Sequence, residues 1–182
     1  MKSFDLAGRV PTSLPLVADD ITELHAARLL LLLKHCGQEG TISGLTKLAK
    51  LDFFVRYPEF FNRLAEHLKK KARSPSVEIE SPMVRHHYGP WDKRYYHVLA
   101  FLEARGLIQV KKQGSAYEFF LTPLGDARAT TLSQSEAFAM LVQQIVAVRK
   151  VLGRKPGSEL KDLIYRIFDV EVRNKKLGEI IQ

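Results

Sequence analysis

The sequence has a single cysteine, Cys36. An intrachain disulfide is therefore excluded, and this usage suits a reducing compartment. Cys36 adjoins a leucine run and reads as a small buried apolar residue rather than a nucleophile. Long hydrophobic runs are missing too. The longest, Ala26 to Leu33, is interrupted by Arg28 and falls far short of the roughly 20 residues that span a bilayer. The first twenty residues, MKSFDLAGRVPTSLPLVADD, hold no apolar segment of the kind a secretion signal needs. A soluble cytoplasmic protein without membrane contact is expected.

Catalytic motifs are absent as well. There is no GxxxxGKS or GxxxxGKT loop for nucleotide, no HExxH pair for zinc and no GxSxG elbow. Six histidines are present, but His86 and His87 are adjacent and would point apart in an extended segment. His97 has no partner four residues on. Glu78, Glu80 and Asp92 are scattered acids that no nuclease motif unites. The expectation is no enzyme activity, no metal and no cofactor.

What the chain does have is apolar content, at 46% of its 182 residues, and positive charge. Lys and Arg number 28 against 20 acids, a formal net charge of +8. Such an excess favours a polyanion such as nucleic acid, although a basic surface can equally serve solubility or an acidic partner.

Periodicity predicts helices over 20–36, 43–57, 59–72, 92–105 and 134–153, with a last one near Glu159 to Phe168. Leu29 to Leu33 are five consecutive leucines, and a helix apolar all round is usually buried all round. Asp20 and Ser43 are candidate N-caps, Pro90 a candidate first-turn residue, and Ser133 with Glu136 a candidate capping box. Lys69, Lys70, Lys71 and Arg73 follow the third helix, either complementing its dipole or meeting phosphates. Residues 107–122 alternate around a QGSA turn and predict a hairpin, with Pro123, Leu124 and Gly125 closing its second strand. In the helix over 92–105, Tyr95, Leu99 and Leu102 form the inward stripe, leaving Lys93, His97, Ala100 and Ala104 opposite.

The run LAFLEARGLIQVKKQGSAYEFFLTPLGDARA resembles the recognition helix and wing of winged-helix proteins. The expected fold is mainly α with a small β-hairpin, a winged helix-turn-helix with extra N- and C-terminal helices. Its divisions would be an N-terminal arm over 1–19, the winged-helix domain over 20–130 and a C-terminal helical extension over 131–182. A narrower resemblance lies in LTKLAKLDFFVRYP (Leu45 to Pro58) and in Met83 to Leu107, with Tyr88-Gly89-Pro90-Trp91-Asp92 and Arg94-Tyr95-Tyr96. These segments are similar to the middle component of three-component ABC-type ATPase systems, best known from Lamassu-type antiphage defence. The resemblance implies a non-catalytic accessory subunit that joins an SMC-like ATPase to an effector nuclease in a hetero-oligomer.

Double-stranded DNA is a further candidate partner. Lys93, Arg94, Lys111 and Lys112 are the candidate DNA contacts, all suited to phosphates. The two alanines on the outward face of the helix offer base edges no hydrogen bonds, which argues against a free-standing transcription regulator, the alternative reading. Candidate partner contacts are Trp91, Tyr96, Leu160, Leu163, Ile164 and Ile167, as exposed aromatics or as an apolar stripe at helical spacing.

Overall fold

Five consecutive leucines decide where the first helix goes. In the computed structural model, which describes residues 21–75, 83–86, 89–114, 116–168, 172, 176–179 and 181, helix α1 spans Thr22–Cys36 at the centre of the molecule. None of Leu29 to Leu33 is more than 2% exposed. Over this leucine run every side of the helix is covered, by α2 (Leu45–Arg56), α4 (Tyr95–Ala104), α5 (Pro123–Gln134), α6 (Ala139–Leu152) and the sheet. Burying each leucine contributes about 1.5–3 kcal/mol.

The remaining elements are β1 (Thr41–Ser43), α3 (Pro58–His67), β2 (Val84–His86), β3 (Gly89–Trp91), β4 (Ile108–Gln113), β5 (Ala116–Leu121) and α7 (Gly157–Ile167). The protein is mainly helical, with a small three-stranded antiparallel sheet in the order β1-β5-β4. Strands β4 and β5 pair from Ile108↔Leu121 to Gln113↔Ala116, the expected hairpin. On the other side of β5, β1 pairs Thr41 with Phe120 and Ile42 with Phe119. A separate pairing joins β2 to β3. Helix α4 leads straight into β4 through Gly106, whose φ of +66° is a left-handed conformation that glycine adopts without a Cβ penalty.

Several local expectations differ from the structure. Ser43 lies in β1 and its hydroxyl donates to Glu118 Oε1; the N-cap of α2 is Gly44. Pro90 sits in β3, and α4 begins only at Tyr95. Ser133 lies inside α5 and donates to the Ala129 carbonyl, so no capping box forms with Glu136, which belongs to a short 3-10 turn over Glu136–Phe138. Helix α3 ends at His67, five residues before the predicted limit. The arm over 1–19, Asp20, Glu78, Glu80, His87 and Tyr88 lie outside the described residues.

Thr122 to Gly125, read as the end of a strand, instead starts α5. Thr122 Oγ1 accepts from Gly125 N at 3.0 Å, and Pro123 takes the first helical position, where its missing N–H costs nothing. Gly125 is required there because a Cβ would come within 1.8 Å of the Leu107 carbonyl oxygen. Replacing Thr122 with alanine removes the cap and is expected to cost about 1 kcal/mol. Urea denaturation checks this, and an unchanged midpoint would refute the capping role.

The division expected at 130/131 falls within α5. Helices α6 and α7 pack directly on α1 and α2, and their Ile145, Val148, Leu152, Leu160 and Ile164 belong to the same core cluster as the α1 leucines. Among the described residues, no helix is long and apolar enough to cross a membrane.

Candidate functional site

Charged residues inside apolar helices are costly to bury unless paired. Arg28 on α1 and Asp52 and Arg56 on α2 are all at most 1% exposed. They are paired in a closed ring of side chains. Arg28 Nε donates to Asp52 Oδ1 at 2.7 Å. Arg56, one turn along from Asp52, holds its Nη1 4.0 Å from Asp52 Oδ2 and donates to Asp92 Oδ2 at 2.7 Å. Asp92 also accepts from Arg94 Nε at 2.9 Å and from Arg94 Nη2 at 2.7 Å. Arg94 Nη1 lies 3.0 Å from His25 Nε2, and His25 Nδ1 lies 3.2 Å from Arg28 Nη1, which closes the circuit. Tyr95 adds a hydroxyl that donates to Asp52 Oδ2 at 2.7 Å.

The ring ties α1, α2 and the turn that launches α4 into one unit. It draws Asp52 and Arg56 from the first motif and Asp92, Arg94 and Tyr95 from the second. Lys50 makes a further link between the motifs: its Nζ donates to the Pro90 carbonyl at 2.8 Å. Burial pushes the Lys50 amine down to about 7. Burial alone would raise the Asp92 carboxyl, but the Arg94 hydrogen bonds, followed by the Arg56 charge, outweigh it and hold Asp92 well below the usual carboxylate range. The Tyr95 phenol is pushed up by burial and then by the Asp52 charge. Chemically the ring offers guanidinium donors to carboxylates already inside it. Its role is to set the position of α4. Among the described residues, no group of three or more His, Cys, Asp or Glu side chains could hold a metal ion.

Outside the ring, α4 and the β4–β5 hairpin present a solvent face. Tyr95, Leu99 and Leu102 point inward, while Lys93, His97, Ala100 and Ala104 are exposed, as the spacing predicts. Lys111 and Lys112 are exposed on β4. Lys111 lies opposite Glu118 in the register, with its Nζ 5.1 Å from the Phe120 ring centroid. Lys93, Lys111 and Lys112, three of the four candidate DNA contacts, are thus open to solvent. Arg94 is the exception, because Asp92 and His25 already hold its guanidinium.

The candidate partner contacts divide in the same way. Leu160 and Ile164 are fully buried and Leu163 nearly so, packed in the chain's own core where α7 meets α2. Trp91 is 7% exposed and meets Tyr95 edge to face at 5.4 Å. These four are withdrawn as partner contacts because their apolar surface is already covered. Tyr96 is 66% exposed on α4, and Ile167 is half-buried. The basic cluster after α3 is exposed, and Lys70, Lys71 and Arg73 line a hollow together with Arg63 and two acids, Glu59 and Glu66.

Sequence reasoning did not single out His25, Arg28, Asp52 or Arg56 as a unit. The available signal was a charge at an otherwise apolar position, Arg28 before five leucines and Asp52 between Leu51 and Phe53. No protein-family model, no curated protein and no solved structure matches the chain.

Proposed function

We propose that this chain is a winged-helix accessory subunit without catalytic activity of its own, joining an SMC-like ATPase to an effector in a bacterial antiphage defence complex. The observation that carries the reading is the convergence of the two motif segments, Leu45 to Pro58 and Met83 to Leu107, on one buried ring. Asp52, Arg56, Asp92, Arg94 and Tyr95, five residues of these segments, are engaged in holding α4. The sheet order β1-β5-β4, with α4 running directly into β4, favours the winged-helix reading. Tyr96 on that face suits a protein interface, since exposed aromatics are frequent anchors. Co-expression with the neighbouring genes tests the reading. A long coiled-coil ATPase is expected to co-purify, and a monodisperse monomer that ignores its neighbours would overturn it.

DNA contact in this reading is weak and sequence-tolerant, through Lys93, Lys111 and Lys112. Each neutralised phosphate changes the slope of log affinity against log salt by about 0.9 on duplex DNA. Replacing both wing lysines with alanine is expected to flatten that slope by about 1.8 and to weaken unrelated duplexes alike. Titration of labelled duplexes at several salt concentrations checks this. A strong preference for one sequence, lost on changing Lys93 or His97, would favour a free-standing regulator instead.

A further inference from the structure

Where α1 ends, the turn over 37–40 and the last turn of α6 enclose an open groove. Its walls carry Gln38, Glu39, Arg149, Lys150 and Arg154. The three cations are exposed, and none of them is ion-paired among the described residues. Among the described residues, Glu39 is the one acid in the lining. The positive field reaches the neighbouring groups. Burial first, then Arg149 and Lys34, pushes the His35 imidazole down. Burial is likewise the main influence on Cys36, with Arg149 and Lys47 the next.

The lining also indicates what kind of polyanion fits. Among the described residues it contains no aromatic side chain, so the bases of a single strand would have nothing there to stack on. Its large aliphatic residues among those described are Val146 and Val151, poor anchors for a protein partner, which would need buried aromatics or long aliphatics. A duplex backbone needs neither, because phosphates are met by flexible cations at an open surface. The groove adjoins β1, whereas the wing lysines lie on β4 at the opposite edge of the sheet. It is therefore a separate surface.

We propose that the groove between the end of α1 and α6 is a second phosphate-binding surface for double-stranded DNA, built on Arg149, Lys150 and Arg154. This inference deepens the reading of the chain as a DNA-contacting subunit and rests on it. Held by two basic surfaces, a duplex gains affinity without any base being read.

The test uses the full chain and labelled duplexes of unrelated sequence, titrated across salt concentrations. Replacing Arg149, Lys150 and Arg154 together with alanine is expected to flatten the salt slope by up to about 2.7. The Lys111→Ala/Lys112→Ala variant should flatten it independently. Glu39→Lys is the complementary variant: it adds a cation and should steepen the slope by about 0.9, an effect that misfolding could not mimic. If the triple variant and Glu39→Lys bind like the parent while the wing variant weakens, the groove proposal fails and the wing reading stands. If the parent itself shows no salt-dependent binding to any duplex, both fail. Competition by poly-glutamate as strong as by unlabelled duplex would assign the groove to an acidic protein and overturn the proposal.

Discussion

Asp52→Asn is expected to destabilise the protein by about 3–5 kcal/mol, the cost of leaving buried charges without their counter-ion. The substitution is nearly isosteric, so packing is preserved and the change isolates charge. Asp52 faces Arg28 at 2.7 Å and Arg56 at 4.0 Å, both at most 1% exposed. Neither guanidinium can lose its proton, so neither can escape by neutralising. Tyr95→Phe is the graded control. It removes one hydrogen bond to the same carboxylate and should cost about 1.5–3 kcal/mol, as hydrogen bonds to charged groups do. Urea denaturation reads both, with m held constant as the sign that the unfolded state has not changed. A loss below about 1 kcal/mol for Asp52→Asn would mean that water reaches the ring and that it does not hold α4 in place.

The second large effect depends on pH. Folding lowers the Lys50 amine from 10.5 to about 7. Between those values the unfolded chain holds a proton that the folded chain has released. Stability therefore rises as pH climbs from about 7, by up to about 1.4 kcal/mol per pH unit. Cys36 acts in the opposite sense. Its thiol is raised from 9.0 to about 12, so the unfolded chain loses that proton first and stability falls above pH 9. The clearest window is thus pH 7 to 9. Lys47 is also lowered, by burial, and for that reason the decisive quantity is the difference between Lys50→Met and the parent. Lys50→Met should lose most of the rise across this window. Parallel stability curves for the two proteins would show that Lys50 keeps its ordinary basicity when buried.

Much of this architecture was legible from periodicity. The helices at α1, α2, α4, α6 and α7 and the β4–β5 hairpin all follow apolar spacing, and the leucine run announced a helix enclosed on every side. What stayed hidden has physical causes. Strand β1 is three residues long, and its partner Phe120 lies far along the chain, so no local pattern marks it. Helix α5 opens with Pro123 and Gly125, which read as breakers. Each is favoured by context, one by the free N–H positions of a first turn and the other by the close carbonyl of Leu107. The apolar stripe on α7 was visible, but periodicity cannot tell a face that meets the chain's own core from one that meets a partner. The residues of the two motif segments could be named in advance. That they meet each other, rather than a ligand, depended on a fold that brings Arg56 to Asp92 across 36 positions.

The enclosure of α1 also bears on how the protein is made. Part of the cover of the α1 leucines, α6, lies more than a hundred residues downstream of them. At synthesis rates of 5–20 residues per second, the helix stays without that cover for roughly 6–24 s. Throughout that interval the nascent chain carries the kind of surface that chaperones bind, so its yield in the cell depends on them more than the stability of the finished fold would suggest.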